Sequence, residues 1–186
     1  MGSVRRKGAV VRVGLAEDEV VLLASLASGV MQLLGGPAPT ASDDPVESLL
    51  AMPATAVDAP QDPVLARLLP DAYRDDDAAA GEFRRLMDGD LRAQKRGALQ
   101  RMLDDLAGAG VRKGGELRFE LDDEAAQQWL YATNDIRLVL GTTLGVTEDM
   151  AADRATLEPG SPRDVQLMVY DWMTWLQNAV VEAVMR

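Results

Sequence analysis

Apolar and polar residues alternate in two short stretches of the chain. Val11, Val13 and Leu15 alternate with Arg12 and Gly14, and Leu117, Phe119 and Leu121 alternate with Glu116, Arg118 and Glu120. A period of two puts one set of side chains on a single face. Both stretches therefore predict half-buried strands, near 9–15 and 116–121. The chain from Val4 onward also reads as extended, with Gly8 suited to a turn. These two strands are expected to pair, and a two-stranded ribbon needs helices to pack on.

Elsewhere the apolar period lengthens to three or four. Glu17-Asp18-Glu19 places negative charge at the start of a helix, which runs to about Leu34 and stops at Gly35-Gly36-Pro37. Asp62-Pro63 opens a short helix halted by Pro70, and Asp71 to Arg74 follows as a turn. Asp75 to Asp77 open a long helix to about Ala107, with Phe83, Leu86, Met87, Leu91, Leu99, Met102, Leu103 and Leu106 as its apolar positions. Gly89 marks a potential break in it. Asp122 caps a helix reaching Gly141 or Gly145, and the last helix covers roughly Arg163 to Met185. Between the first two helices, residues 37–61 are expected to form a mobile, acidic, proline-rich loop around one apolar island, Val46 to Met52. The expected fold is mainly α. It is an orthogonal helical domain of about five to six helices with a small two-stranded β-ribbon, spanning residues 1–186 as a single domain.

Composition narrows the chemistry. The chain of 186 residues has no cysteine and no histidine. Disulfides, thiolate nucleophiles, Cys- or His-ligated zinc, and Ser-His-Asp or Cys-His catalysis are thus excluded within it. The net charge of −11 opposes nucleic-acid binding unless one face gathers the cations. The one such candidate is the long helix with Arg84, Arg85, Arg92, Lys95, Arg96 and Arg101, and these are expected to pair with neighbouring acids. No nucleic-acid partner is therefore expected. The longest apolar run, Val20 to Leu34, is broken by Ser25, Ser28, Gly29 and Gln32, and falls short of the roughly 20 residues a spanning helix needs. Acids at Glu17 to Glu19 just before it also argue against an export signal, so a cytoplasmic location without a membrane partner is expected.

Candidate sites are few. Asn134, Asp135 and Arg137 lie in an otherwise apolar helix and require partners if buried. Arg67 and Arg74 are candidates for Asp135, and Asp71 for Arg137, giving a structural polar network or, alternatively, a pocket. The last helix carries Val165, Met168, Val169, Trp172, Met173, Leu176 and Val180 on one broad face, with Tyr170 and Trp175 extending the apolar surface. That surplus marks Tyr170, Trp172 and Trp175 as a candidate surface for a protein partner or a homodimer, beside the plainer role of core packing. Asp71, Asp75, Asp76 and Asp77 do not match a calcium loop and read as helix-start acids, so no metal site is assigned. Gly108 to Gly115 lacks the Gly-Lys-Ser/Thr ending of a phosphate loop, and no cofactor is expected.

Three segments together carry a resemblance: Asp62 to Arg74 (DPVLARLLPDAYR), Asn134 to Gly145 (NDIRLVLGTTLG) and Tyr170 to Gln177 (YDWMTWLQ). In order and spacing they resemble an actinobacterial family of unknown function, the domain of unknown function numbered twenty-seventeen. The likeness extends over nearly the whole chain, including Glu82-Phe83-Arg84-Arg85, while Thr143 stands where arginine would be expected. The resemblance implies no catalytic residues. Because such genes often lie beside one for a ClpS-like protease adaptor, it implies a link to protein turnover. The leading expectation is a non-enzymatic interaction or regulatory module. A carboxylate-based, magnesium-dependent enzyme is the alternative, and a nucleic-acid binder using the 84–101 helix is the third.

Overall fold

The computed structural model describes residues 2–35, 58–73, 75–111, 115–147 and 157–186. The island at Val46 to Met52 and most of the expected 37–61 loop lie outside these residues, as does Arg74.

The chain opens with a hairpin, β1 (Ser3–Lys7) and β2 (Val10–Leu15). Gly8 at φ 60° starts its two-residue turn, the position where a II′ turn needs positive φ. Helix α1 (Glu17–Leu33) follows, then α2 (Pro63–Leu68) and α3 (Asp77–Ala107). A two-residue β3 (Gly110–Val111) and β4 (Leu117–Leu121) complete the sheet, and α4 (Asp123–Thr143) and α5 (Pro162–Val184) complete the helices among the described residues.

The two strands legible in the alternation do pair, antiparallel, with Val11 opposite Leu121, Val13 opposite Phe119 and Leu15 opposite Leu117. They form the centre of a four-stranded sheet in the order β1-β2-β4-β3, rather than a ribbon by themselves. The added strands lack the apolar alternation that signals a buried face. β1 contributes one aliphatic side chain, Val4, opposite Val13, and β3 is too short to show a period.

Helix starts follow their caps. Asp62, Asp76, Asp122 and Ser161 accept backbone N–H bonds in the first turns of α2, α3, α4 and α5. Ala16 precedes α1 and has no capping oxygen, so Glu19 reaches back to accept from the Ala16 N–H at 2.9 Å. Helix α3 runs unbroken through Gly89, where a Cβ would meet open space, so the potential break marked there does not occur. Gly145 at φ 60° ends α4, with the Val146 N–H bonded back to the Gly141 carbonyl at 2.8 Å.

One core joins these elements. The inner sheet face (Val11, Val13, Leu15, Leu121) meets Leu23 and Ala27 of α1, Leu99 and Met102 of α3, Trp129 and Ile136 of α4, and Met173, Leu176 and Val180 of α5. Trp129 is fully buried, lies 5.1 Å from the Phe119 ring and donates its indole N–H to Asp105 at 2.9 Å. The other sheet face is polar, with Arg5, Arg12, Arg118 and Glu120.

Candidate interaction surface

Helix α5 buries Leu167, Met173, Leu176, Val180 and Ala183, as its period of three to four dictates. Tyr170, Trp172 and Trp175 flank that stripe and are each half-buried. The structure gives the three different surroundings. Trp172 donates its indole N–H to Glu19 at 3.1 Å, and the same carboxylate also accepts from the backbone N–H groups of Gly2 and Ala16. One acid thereby ties the residue before β1, the start of α1 and the middle of α5 together. The Tyr170 ring lies beside Gly141 and under the Arg137 guanidinium, 5.5 Å from the ring centre.

Trp175 faces a groove of about 450 Å³. One wall is Gly2 and β1 as far as Arg6, and the other is the C-terminal half of α5, with Trp175, Ala179, Glu182 and Ala183, and Arg186 just beyond it. At the other end of α5, Val165 and Met168 are exposed.

Among the described residues, the polar residues marked in the sequence are not brought together as one network, and Arg74 lies outside them. Asp135 is 2% exposed and pairs with Lys95 of α3 at 2.7 Å, not with Arg67, which is solvent-exposed. Its second oxygen has no hydrogen-bond partner among the described residues. Burial raises the Asp135 pKa, and the Lys95 ammonium only partly offsets this. Asn134, one helical step away, points to solvent. Arg137 bonds Thr174 at 3.1 Å and also Gln177, both on α5, rather than Asp71. Asp71 pairs with Arg84 instead. A signal for Lys95 was present: it sits four residues from both Leu91 and Leu99, in phase with the inward face of α3.

The cations of α3 serve the protein itself. Arg85 pairs with Glu82, Arg92 with Asp88, and Arg101 with Asp105. Arg92 also donates to the Leu34 carbonyl at 3.0 Å, and Arg96 to the carbonyls of Met31 and Gly35. Two guanidinium groups thus bond carbonyls at and just beyond the C-terminal end of α1, where the helix dipole is negative. Among the described residues no group of three or more acids could hold a metal ion, and no helix is long and apolar enough to cross a membrane.

Comparison with known proteins agrees with the sequence resemblance. The family model described as a domain of unknown function, DUF2017, matches residues 1–184. The "Oxidative stress regulator AosR" of Mycobacterium tuberculosis is 32% identical over 194 residues, covering 97% of this chain and 84% of the relative. The "Putative oxidative stress regulator AosR" of Mycobacterium leprae is 32% identical over 184 residues, covering 92% of this chain and 81% of the relative. No solved structure gives a significant match. A family match from end to end, with two mycobacterial relatives aligned over nearly the same span, places this chain in the DUF2017 family.

Proposed function

We propose that this chain is a non-enzymatic regulatory protein of the oxidative stress response, acting by binding another protein through the surface formed by α5 and β1. The observation that carries this is the relatives named as oxidative stress regulators, aligned over up to 97% of the chain. The geometry supports binding rather than catalysis. The polar groups with the most evident chemical character, Asp135, Arg137 and Glu19, are engaged in bonds between helices and strands. The groove beside Trp175 is the described feature that joins an apolar wall to a strand edge. The relatives' names speak of stress regulation rather than the protein turnover implied by a ClpS-like gene neighbour.

With no cysteine, this chain has no thiol to oxidise, so any oxidant signal reaches it by another route. Regulation then rests on which partner is bound, not on a disulfide switch in this chain. The test is deletion of the gene in its host, followed by challenge with hydrogen peroxide. The expected result is an altered survival and protein response, restored by the native chain. An unchanged response in the deleted strain would sink the proposal.

A further inference from the structure

β1 is the outermost strand of the sheet. Its five residues pair with β2 on one side, and no other described strand pairs with it on the other. Such an edge presents backbone N–H and C=O groups able to pair with another extended chain. Here the edge opens onto the groove of about 450 Å³. On the opposite wall Trp175 offers an apolar platform, while the small side chains of Ala179 and Ala183 leave depth beside the strand. This is the arrangement that accepts an added strand: backbone pairing gives affinity, and alternate side chains enter the groove.

Charge decides what fits. β1 carries Arg5, Arg6 and Lys7 in succession, in a chain whose net charge is −11. Arg6 is held by Asp123 at 2.7 Å, and Arg186 lies 3.7 Å from Glu182. Arg5 and Lys7 are exposed and have no ion pair among the described residues, and the residue opposite Arg5 is a further cation, Arg12, itself paired with Glu120. A second copy added along this edge would set like charges against each other, which is unfavourable. Duplex nucleic acid, dense in phosphate, would meet the repulsion of the whole acidic molecule. A short acidic segment meets the same net charge with far fewer negative charges than a duplex, and it can set them against Arg5 and Lys7 on the β1 edge.

The geometry points to the β1 edge as the docking site for an extended acidic segment of a partner protein, added as a fifth strand in the groove against α5. This rests on the regulatory reading above and names the chemistry of the partner. The probe is a synthetic peptide of alternating glutamate and valine, with its lysine–valine counterpart and a DNA duplex as comparisons. Amide hydrogen exchange of the full chain is followed at low ionic strength. The acidic peptide is expected to slow exchange at alternate amides of β1, and the exposed-site double variant Arg5→Glu/Lys7→Glu to weaken its binding by about tenfold or more while keeping the native helical circular dichroism. Unprotected β1 amides, equal protection by the lysine peptide, tighter protection by duplex DNA, or protection that develops with protein concentration alone would each overturn the assignment. The peroxide response of the deleted host is read separately, so a failed docking site and a failed regulatory role are told apart.

Discussion

Two carboxylates, Asp135 in the core and the half-buried Glu19, show how much rests on single residues. Asp135 is held by one cation, Lys95, whose side chain is 17% exposed. Lys95→Ala leaves a charged acid in the core with no donor and is expected to cost about 3 kcal/mol at pH 7 in urea unfolding. That cost shrinks as the pH falls into the carboxylate range, because a protonated Asp135 needs no cation. In the native protein the sign runs the same way. The Asp135 pKa is raised by burial, so on increasing pH the unfolded chain loses this proton first and stability from this group falls. Asp135→Asn should remove that downward slope above the ordinary aspartate range; an unchanged difference between the two proteins across pH would contradict the burial argument. Glu19 accepts three bonds from three elements. Its replacement by alanine is expected to cost about 2 kcal/mol and to shift the fluorescence of Trp172. At this scale the sequence was only half legible. Asp135 stood out as a polar residue in an apolar helix, but its partner lies forty positions away on α3, and local motifs drew attention to Arg67 and Arg74 instead. Trp172 advertised itself as surface, yet its bond to Glu19 spans 153 positions that no periodicity encodes.

Elements were read more fully, because their causes are local. Caps at Asp62 and Asp122, the stop after Leu34 and the alternation in β2 and β4 all appear where short-range rules place them. What escaped were elements defined by their neighbours. β1 is a strand because β2 offers it a ladder, and α3 stays continuous through Gly89 although glycine weakens it. The basic face of α3 read as locally paired, yet Arg84, Arg92, Lys95 and Arg96 reach beyond their own helix, to Asp71, Leu34, Asp135, and Met31 and Gly35. Arg96→Ala is therefore expected to cost about 1–2 kcal/mol and to speed amide exchange in the last turn of α1, leaving its first turn unchanged. Equal acceleration along α1 would show that the arginine acts on the whole helix rather than on its end.

At the scale of the whole molecule, the chain has neither cysteine nor histidine and carries a net charge of −11, and the proposed function is binding. The sheet edge and the α5 groove are where the described structure offers a partner both backbone and apolar surface. Under the proposed function the context is the oxidative stress named for the relatives, and the absence of thiols separates that proposed role from thiol sensing in this chain. The most direct measurement is the survival of the gene-deleted host under hydrogen peroxide when complemented with either the native chain or the Arg5→Glu/Lys7→Glu chain, at equal protein levels. Regulation through the β1 edge predicts that the native chain restores the response and the variant does not, although both are folded. Full restoration by the variant would contradict it.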